Sequence, residues 1–221
     1  MMRNPLSHAP SGSHAPSGSH ATGEHGADAA EKTRLRREIR ARRLALPATA
    51  ACASARCAIR RLWALPALAR ARTLAIYLPI GGELDCTPLA LEAWNRGRSV
   101  FLPVIRGTAL RFAPFHPESE LRPNHFGIPE PVTPARHLRT ARQLDVIVAP
   151  LVAFDVQGHR LGMGGGYYDR TLAFRGARTH ARRPGFIGLA FEMQKVSALP
   201  AGAWDIGLDA VITETATYRF A

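Results

Sequence analysis

The sequence predicts one α/β domain, a three-layer sandwich in which a largely parallel, mixed central sheet is flanked by helices. Three observations predict it. From residue 31 onward, short β-rich apolar runs alternate with segments of helical periodicity. The run Leu144 to Val152 is apolar apart from Asp145, as in a strand covered by helices on both faces. That run then feeds Arg160 to Arg170, a turn with four glycines that opens into a further helical segment.

The elements follow in order. From Glu31 the first helix places Leu35, Ile39 and Leu46 along one face with arginines around the rest, and Pro47 stops it. An Ala-rich second helix spans Thr49 to Leu65, with Ile59, Leu62 and Trp63 as its apolar edge. Thr73 to Pro79 reads as the first strand, Thr87 to Asn95 as a helix, and Ser99 to Val104 as the second strand. Residues 109–115 alternate as a strand pairing with its neighbour, and the Pro-rich stretch 114–134 as loops and turns. After the central strand come a helix from Gly166 to Ala173 and two short strands, Phe186 to Phe191 and Asp209 to Thr213. Such a Rossmann-like arrangement puts its ligand crevice at the carboxyl ends of the strands.

Before this domain, residues 1–28 form a different kind of sequence. Ser-His-Ala-Pro-Ser-Gly at 7–12 recurs at 13–18, a low-complexity composition expected to be a disordered tail, which leaves 29–221 as the folded domain. His8, His14 and His20 recur every six residues, but ordering a flexible tail around a metal would cost too much entropy.

The chain of 221 residues is 46% hydrophobic, enough for one sizeable core. No apolar stretch approaches the roughly twenty residues that a membrane-spanning helix needs. Three cysteines, Cys52, Cys57 and Cys86, stand in no metal-ligand spacing and give no disulfide framework, so a reducing, cytoplasmic setting is expected. The net charge of +12 is uneven: residues 31–61 carry ten basic and two acidic side chains. That segment raises a nucleic-acid-binding module as a rival. Against it stand the absence of a zinc pattern, of aromatic interleaving and of a recognition-helix pattern.

Chemistry concentrates in Arg160-Leu-Gly-Met-Gly-Gly-Gly-Tyr-Tyr-Asp-Arg170. Glycine suits places where backbone approaches a ligand or adopts positive φ, and a helix opening after Gly166 aims free N–H groups at an anion. The expected visitor is a phosphate chain. No lysine follows the glycines as a P-loop requires, and Tyr167 stands where the dinucleotide fingerprint needs its third glycine.

The stretch Val148 to Arg170 closely resembles the motif of the 5-formyltetrahydrofolate cyclo-ligase (5,10-methenyltetrahydrofolate synthetase) family. Four further segments resemble it in the same order: Lys32-Thr-Arg-Leu-Arg36, Leu78 to Asp85, Phe126-Gly-Ile-Pro-Glu-Pro131, and Asp205 to Thr213. The resemblance implies a Mg²⁺- and ATP-dependent enzyme converting 5-formyltetrahydrofolate to 5,10-methenyltetrahydrofolate, with ADP and phosphate released. It further implies small-molecule partners only, neither nucleic acid nor membrane, and a monomer. A different ATP-using or sugar-phosphate enzyme on a similar sheet is the second rival, since fold alone does not settle chemistry.

Residue by residue, the resemblance implies an ATP site of Lys32, Thr33, Arg34, Leu35 and Arg36 together with Arg160, Leu161, Gly162, Met163, Gly164, Gly165, Gly166, Tyr167 and Tyr168. Arg160 and Tyr168 are its catalytic pair. Leu78, Glu83 and Met163 to Tyr167 would border the folate, Glu83 accepting adjacent pterin N–H groups. Asp169 and Asp205 would hold the metal. Gly127 to Pro131 would shape the pocket wall without doing chemistry, and the remaining arginines of the first helix would be solvated. One departure stands out: family members often carry a basic or aromatic residue at the position of Met163 and some a lysine at that of Gly165, which leaves more phosphate charge to Arg160, Lys32 and Arg36.

Overall fold

The computed structural model describes residues 21–176, 183–202 and 204–220, with side chains from residue 28 onward. The first helix, α1, spans Ala21–Leu44 and so begins ten residues before the expected Glu31. That start lies within the stretch 1–28 expected as a tail, of which residues 1–20 lie outside the described residues.

Pro47 separates α1 from α2 (Ala48–Trp63), where it stands as the N-cap, and Pro66 opens the short α3 (Pro66–Arg70), which the sequence reading had not resolved. Then follow β1 (Thr73–Ala75), α4 (Thr87–Asn95), β2 (Ser99–Arg106) and β3 (Ala109–Phe115). The Pro-rich stretch holds a small hairpin, β4 (Leu121–Pro123) with β5 (Pro129–Pro131). The expected nine-residue central strand is two pieces: β6 (Val146–Ala149) in the main sheet, and β7 (Ala153–Phe154), which leaves it to pair with β8 (Arg160–Leu161). Pro150 falls between them; it has no N–H to continue a ladder. The chain ends with α5 (Tyr167–Gly176), β9 (Gly185–Leu189), β10 (Ala210–Ile212) and β11 (Thr217–Arg219), the last of these unforeseen.

The main sheet has the order β11-β10-β9-β6-β1-β2-β3. Its five inner strands are parallel, and β3 and β11 are antiparallel at the two edges. Alternation along the strands divides the core. Leu74, Ile76, Val146 and Val148 face α2, α3 and α4, whereas Ala75, Ile147 and Ala149 face the layer of α5 with Phe112, Phe186 and Leu172. Each fully buried Val, Ile or Phe contributes roughly 1.5–3 kcal/mol.

This order fixes the site. From β1 the chain moves outward through α4 to β2, and it later returns to the other side of β1 to lay down β6, β9 and β10. The switch point lies between β1 and β6, and their carboxyl ends diverge there into a crevice. Helix α1 closes one side of it, burying Leu35 and Ile39 against Val152, Ala153 and Leu161.

Candidate active site

At that switch point opens a cleft of about 940 Å³ lined by segments from every part of the fold. Its basic wall is α1. Lys32, Arg36 and Arg40 recur every fourth residue and form a stripe on the cleft, next to the stripe of Leu35, Ile39 and Arg43 that is buried. Arg36 donates from Nε to the carbonyl of Gly162 at 2.9 Å, so the helix is tied to the glycine turn across the cleft. Burial pulls the Arg36 guanidinium below its ordinary pKa without threatening its charge.

The glycine turn forms the floor. Gly164 and Gly166 have φ of +104° and +62°, values that side chains with a Cβ strongly resist, so only glycine bends the chain into α5 here without strain. Beside it Arg160 is 5% exposed and donates to Asp169 Oδ1 at 2.9 Å. The amide of Ile206 donates to the same oxygen at 3.2 Å, which brings the neighbouring Asp205 into the cleft. Asp205 in turn meets Lys32 at 3.6 Å and accepts from the amide of Gly202 at 2.8 Å. Two carboxylates and two cations are thus held in one interlocked set.

Arg160 lies 5.5 Å from the ring centre of Tyr168, which itself stacks on Phe186 at 5.8 Å. Burial pushes the Tyr168 hydroxyl well above its ordinary pKa, so it stays protonated and serves as a packed support, not a base. Tyr167 faces Phe126 edge-on at 6.2 Å across the cleft mouth. The hairpin carrying Phe126 is braced by Asn124, whose Oδ1 accepts from the amides of Phe126 and Ile128 while its Nδ2 donates to Glu130.

Away from the glycine turn the lining is largely apolar, interrupted by Glu83, Asn124 and Glu130. The Tyr77 hydroxyl donates to the Leu84 carbonyl at 2.7 Å and the Cys86 thiol to the Tyr77 carbonyl at 2.8 Å, fixing the loop that leaves β1. Burial raises the Glu83 carboxyl to about 7, opposed by an N–H bond from Ile80 and by the nearby Arg43 and Arg40. Arg43 is only 3% exposed and donates to the carbonyls of Leu151 and Gly81, so it joins α1 to the ends of both switch-point strands.

The family model of the 5-formyltetrahydrofolate cyclo-ligase family matches residues 28–214. The chain belongs to that family. The 5-formyltetrahydrofolate cyclo-ligase of Escherichia coli K12 is 40% identical over 185 residues, which cover 82% of this chain and 100% of that protein. The enzyme of the same name from Saccharomyces cerevisiae is 28% identical over 83% of this chain and 95% of its own. Among solved structures, the 5,10-methenyltetrahydrofolate synthetase of Aquifex aeolicus matches with a TM-score of 0.72 at 34% identity, covering 85% of this chain and 92% of that one.

Placed against the residues expected of a cyclo-ligase, the cleft gathers most of them. Lys32, Arg36, the whole of Arg160 to Asp169, Leu78, Glu83 and Asp205 line it. Three do not. Thr33 turns its hydroxyl to the carbonyl of Ala29, Arg34 pairs with Glu31 and Glu38 on the exposed face, and Leu35 is a core residue. Five consecutive residues cannot share one face of a helix, and only the pair four apart does so. Sequence reasoning also missed residues: Arg43 was expected to be solvated and is buried, Arg40 is exposed as expected yet borders the cleft, and Arg170 was given no role. Arg170 donates to the carbonyl of Gly165 at 2.5 Å, so a cation stands beside the position where some family members carry lysine. The four-residue spacing from Arg36 was the signal that could have found Arg40.

Among the described residues no three His, Cys, Asp or Glu side chains cluster as a cage for a metal ion. Mg²⁺ needs no such cage, since one or two carboxylates plus phosphate oxygens and waters suffice. Asp169 and Asp205 fit that requirement as oxygen donors on one cleft.

Proposed function

We propose that this cleft carries out the ATP-dependent closure of 5-formyltetrahydrofolate to 5,10-methenyltetrahydrofolate, with the nucleotide on the α1 and glycine-turn side and the pterin at the Glu83 end. The observation that carries it is that one cleft at the switch point joins the basic wall of α1 and the glycine turn to a largely apolar stretch containing the desolvated carboxyl of Glu83. The formyl oxygen takes the γ-phosphoryl group and ADP departs. N10 then attacks the activated carbon, loses its proton, and phosphate leaves with the former formyl oxygen, so that a C–N bond replaces the C–O bond.

Aligned reactants and neutralised phosphate oxygens are what this chemistry requires of a protein. Backbone amides at Gly164 to Gly166 and the start of α5 face the phosphates. Lys32, Arg36 and Arg160 neutralise them, and Arg160 is held for the purpose by Asp169. Bound at Asp169 and Asp205, Mg²⁺ would neutralise charge on the β- and γ-phosphate oxygens. Glu83 accepts the pterin N–H donors in its ionised form, and Leu78, Met163 and Tyr167 pack against the folate. ATP with a reduced folate as substrates suits a monomer working in the cytoplasm.

The test is spectrophotometric: methenyltetrahydrofolate absorbance from 5-formyltetrahydrofolate with and without Mg-ATP. Folded protein that gives no ATP-dependent product would overturn the proposal.

A further inference from the structure

The cationic half of the cleft grips phosphates, but a triphosphate also carries a flat base that those cations do not address. At the mouth, on the same side, stands Trp204, whose ring is 71% exposed although it lines the cleft. An indole is among the least favourable side chains to leave in water, and three local anchors hold this one there. The amide of Asp205 donates to the Gly202 carbonyl at 3.0 Å, the amide of Gly202 donates to Asp205 Oδ2 at 2.8 Å, and the amide of Ile206 reaches Asp169. The backbone beside Trp204 is thereby pinned to the same two carboxylates that serve the phosphates.

The ring also has a seat. A Cβ on Gly202 would lie 2.9 Å from Cε2 and 3.0 Å from Cζ2 of the indole, so glycine at 202 is what lets the ring lie over the backbone. We infer that Trp204 is the stacking platform for the purine of the nucleotide, a contact that rests on the ATP-dependent reading above and extends it from the phosphates to the base. The adjacent Asp205 meets Lys32 at 3.6 Å, whereas Leu78 and Glu83, assigned to the folate, belong to another segment of the wall. The indole therefore stands with the phosphate apparatus and apart from the pterin.

Stacking of a base on an aromatic ring, removed by alanine, changes binding by roughly tenfold. Trp204→Ala should therefore raise the KM for ATP roughly tenfold while the KM for 5-formyltetrahydrofolate does not follow, and Trp204→Phe should recover most of the loss. Inorganic tripolyphosphate, which has no base, should inhibit wild type and Trp204→Ala equally. Addition of Mg-ATP should quench tryptophan emission in wild type, and the quench should disappear in Trp204→Phe, which retains Trp63 and Trp94. Gly202→Val, which displaces the ring without removing it, should mimic Trp204→Ala. An unchanged KM for ATP in Trp204→Ala, or a rise confined to the folate, overturns the inference and leaves the proposed reaction standing. A wild type that neither binds nor uses ATP overturns both.

Discussion

Replacing Glu83 by glutamine separates the two consequences of burying this carboxyl. In the folded protein it titrates near pH 7, against 4.5 for the exposed group, because burial disfavours its charge. As pH rises from 4.5 toward 7, the unfolded chain loses this proton while the folded chain keeps it. Stability therefore falls over that interval. The gap of about 2.5 on the pH scale, at roughly 1.36 kcal/mol for each, corresponds to about 3 kcal/mol. That stabilisation is complete below pH 4.5 and lost once pH passes 7. Glutamine has no such dependence, so the stability of the variant relative to wild type should improve by about 3 kcal/mol between pH 4.5 and 7.5. Urea unfolding of the ligand-free proteins at the two pH values measures this directly. Function should move the other way: only the ionised carboxylate accepts two pterin N–H groups, and the glutamine NH₂ opposes one of them. The variant should lose roughly ten- to a hundredfold in kcat/KM for 5-formyltetrahydrofolate, and wild-type kcat/KM should itself decline below about pH 7. A stability difference that is the same at both pH values would refute the burial argument, and a wild-type profile flat through pH 7 would remove Glu83 from the pterin.

Arg43→Met leaves the carbonyls of Leu151 and Gly81 without this donor, so it should destabilise the protein by about 2–4 kcal/mol and shift the low-pH limb of kcat/KM upward; equilibrium unfolding and a pH profile check the two parts. Gly164→Ala has room, since its Cβ would sit 3.6 Å from Arg36, but not the backbone angle at φ +104°; about 1–2 kcal/mol of strain should appear as a raised KM for ATP, and unaltered kinetics would contradict the reading of this turn. Asp169→Asn takes a charged partner from Arg160 and an oxygen donor from the metal, so activity should drop about a hundredfold and extra Mg²⁺ should restore part of it; a near-normal rate excludes Asp169 as a metal contact. Removing residues 1–20, which lie ahead of α1 and of the family match from residue 28, should leave turnover intact, and a large loss would contradict the separate-tail assignment.

The sheet was legible where one physical signal dominated. Helix α4 coincides with its expected bounds, because Pro88 marks its start and its apolar positions keep a helical period. The hairpin of β2 and β3 was legible for a similar reason, adjacent alternating runs joined at Gly107. The central run was misjudged in length because hydrophobicity reports burial, not hydrogen bonding. Leu151 to Phe154 are as buried as β6, yet Pro150 interrupts the ladder and β7 pairs with β8 instead of the main sheet. Strand β11 was missed because three edge residues with a single half-buried side chain, Tyr218, carry no periodicity to detect. Within the site, the glycine turn and its flanking Arg160 and Asp169 were visible as a cluster in sequence. Arg43 was not, since nothing local distinguishes a buried arginine from a solvated one until two distant carbonyls, at 81 and 151, are brought to it.

The arginine surplus that first suggested nucleic acid has a different explanation once α1 is placed. Lys32, Arg36 and Arg40 face the cleft, Arg43 is buried among backbone acceptors and Glu83, and Arg34 is matched by Glu31 and Glu38 on the solvent side. Arg37 and Arg42 remain in solvent. A phosphate-backbone interface needs many cations on one outward surface, because its affinity grows with the number of phosphates neutralised together. Here Lys32, Arg36 and Arg43 are turned inward, and Arg40 borders the same cleft at its exposed rim. Concentrating cations inside a cleft also makes binding less sensitive to salt than an exposed basic face, since partly buried charges are screened less. The KM for ATP should accordingly change only a few-fold between 50 and 200 mM salt, where a surface using the same cations on a nucleic acid would lose several orders of magnitude.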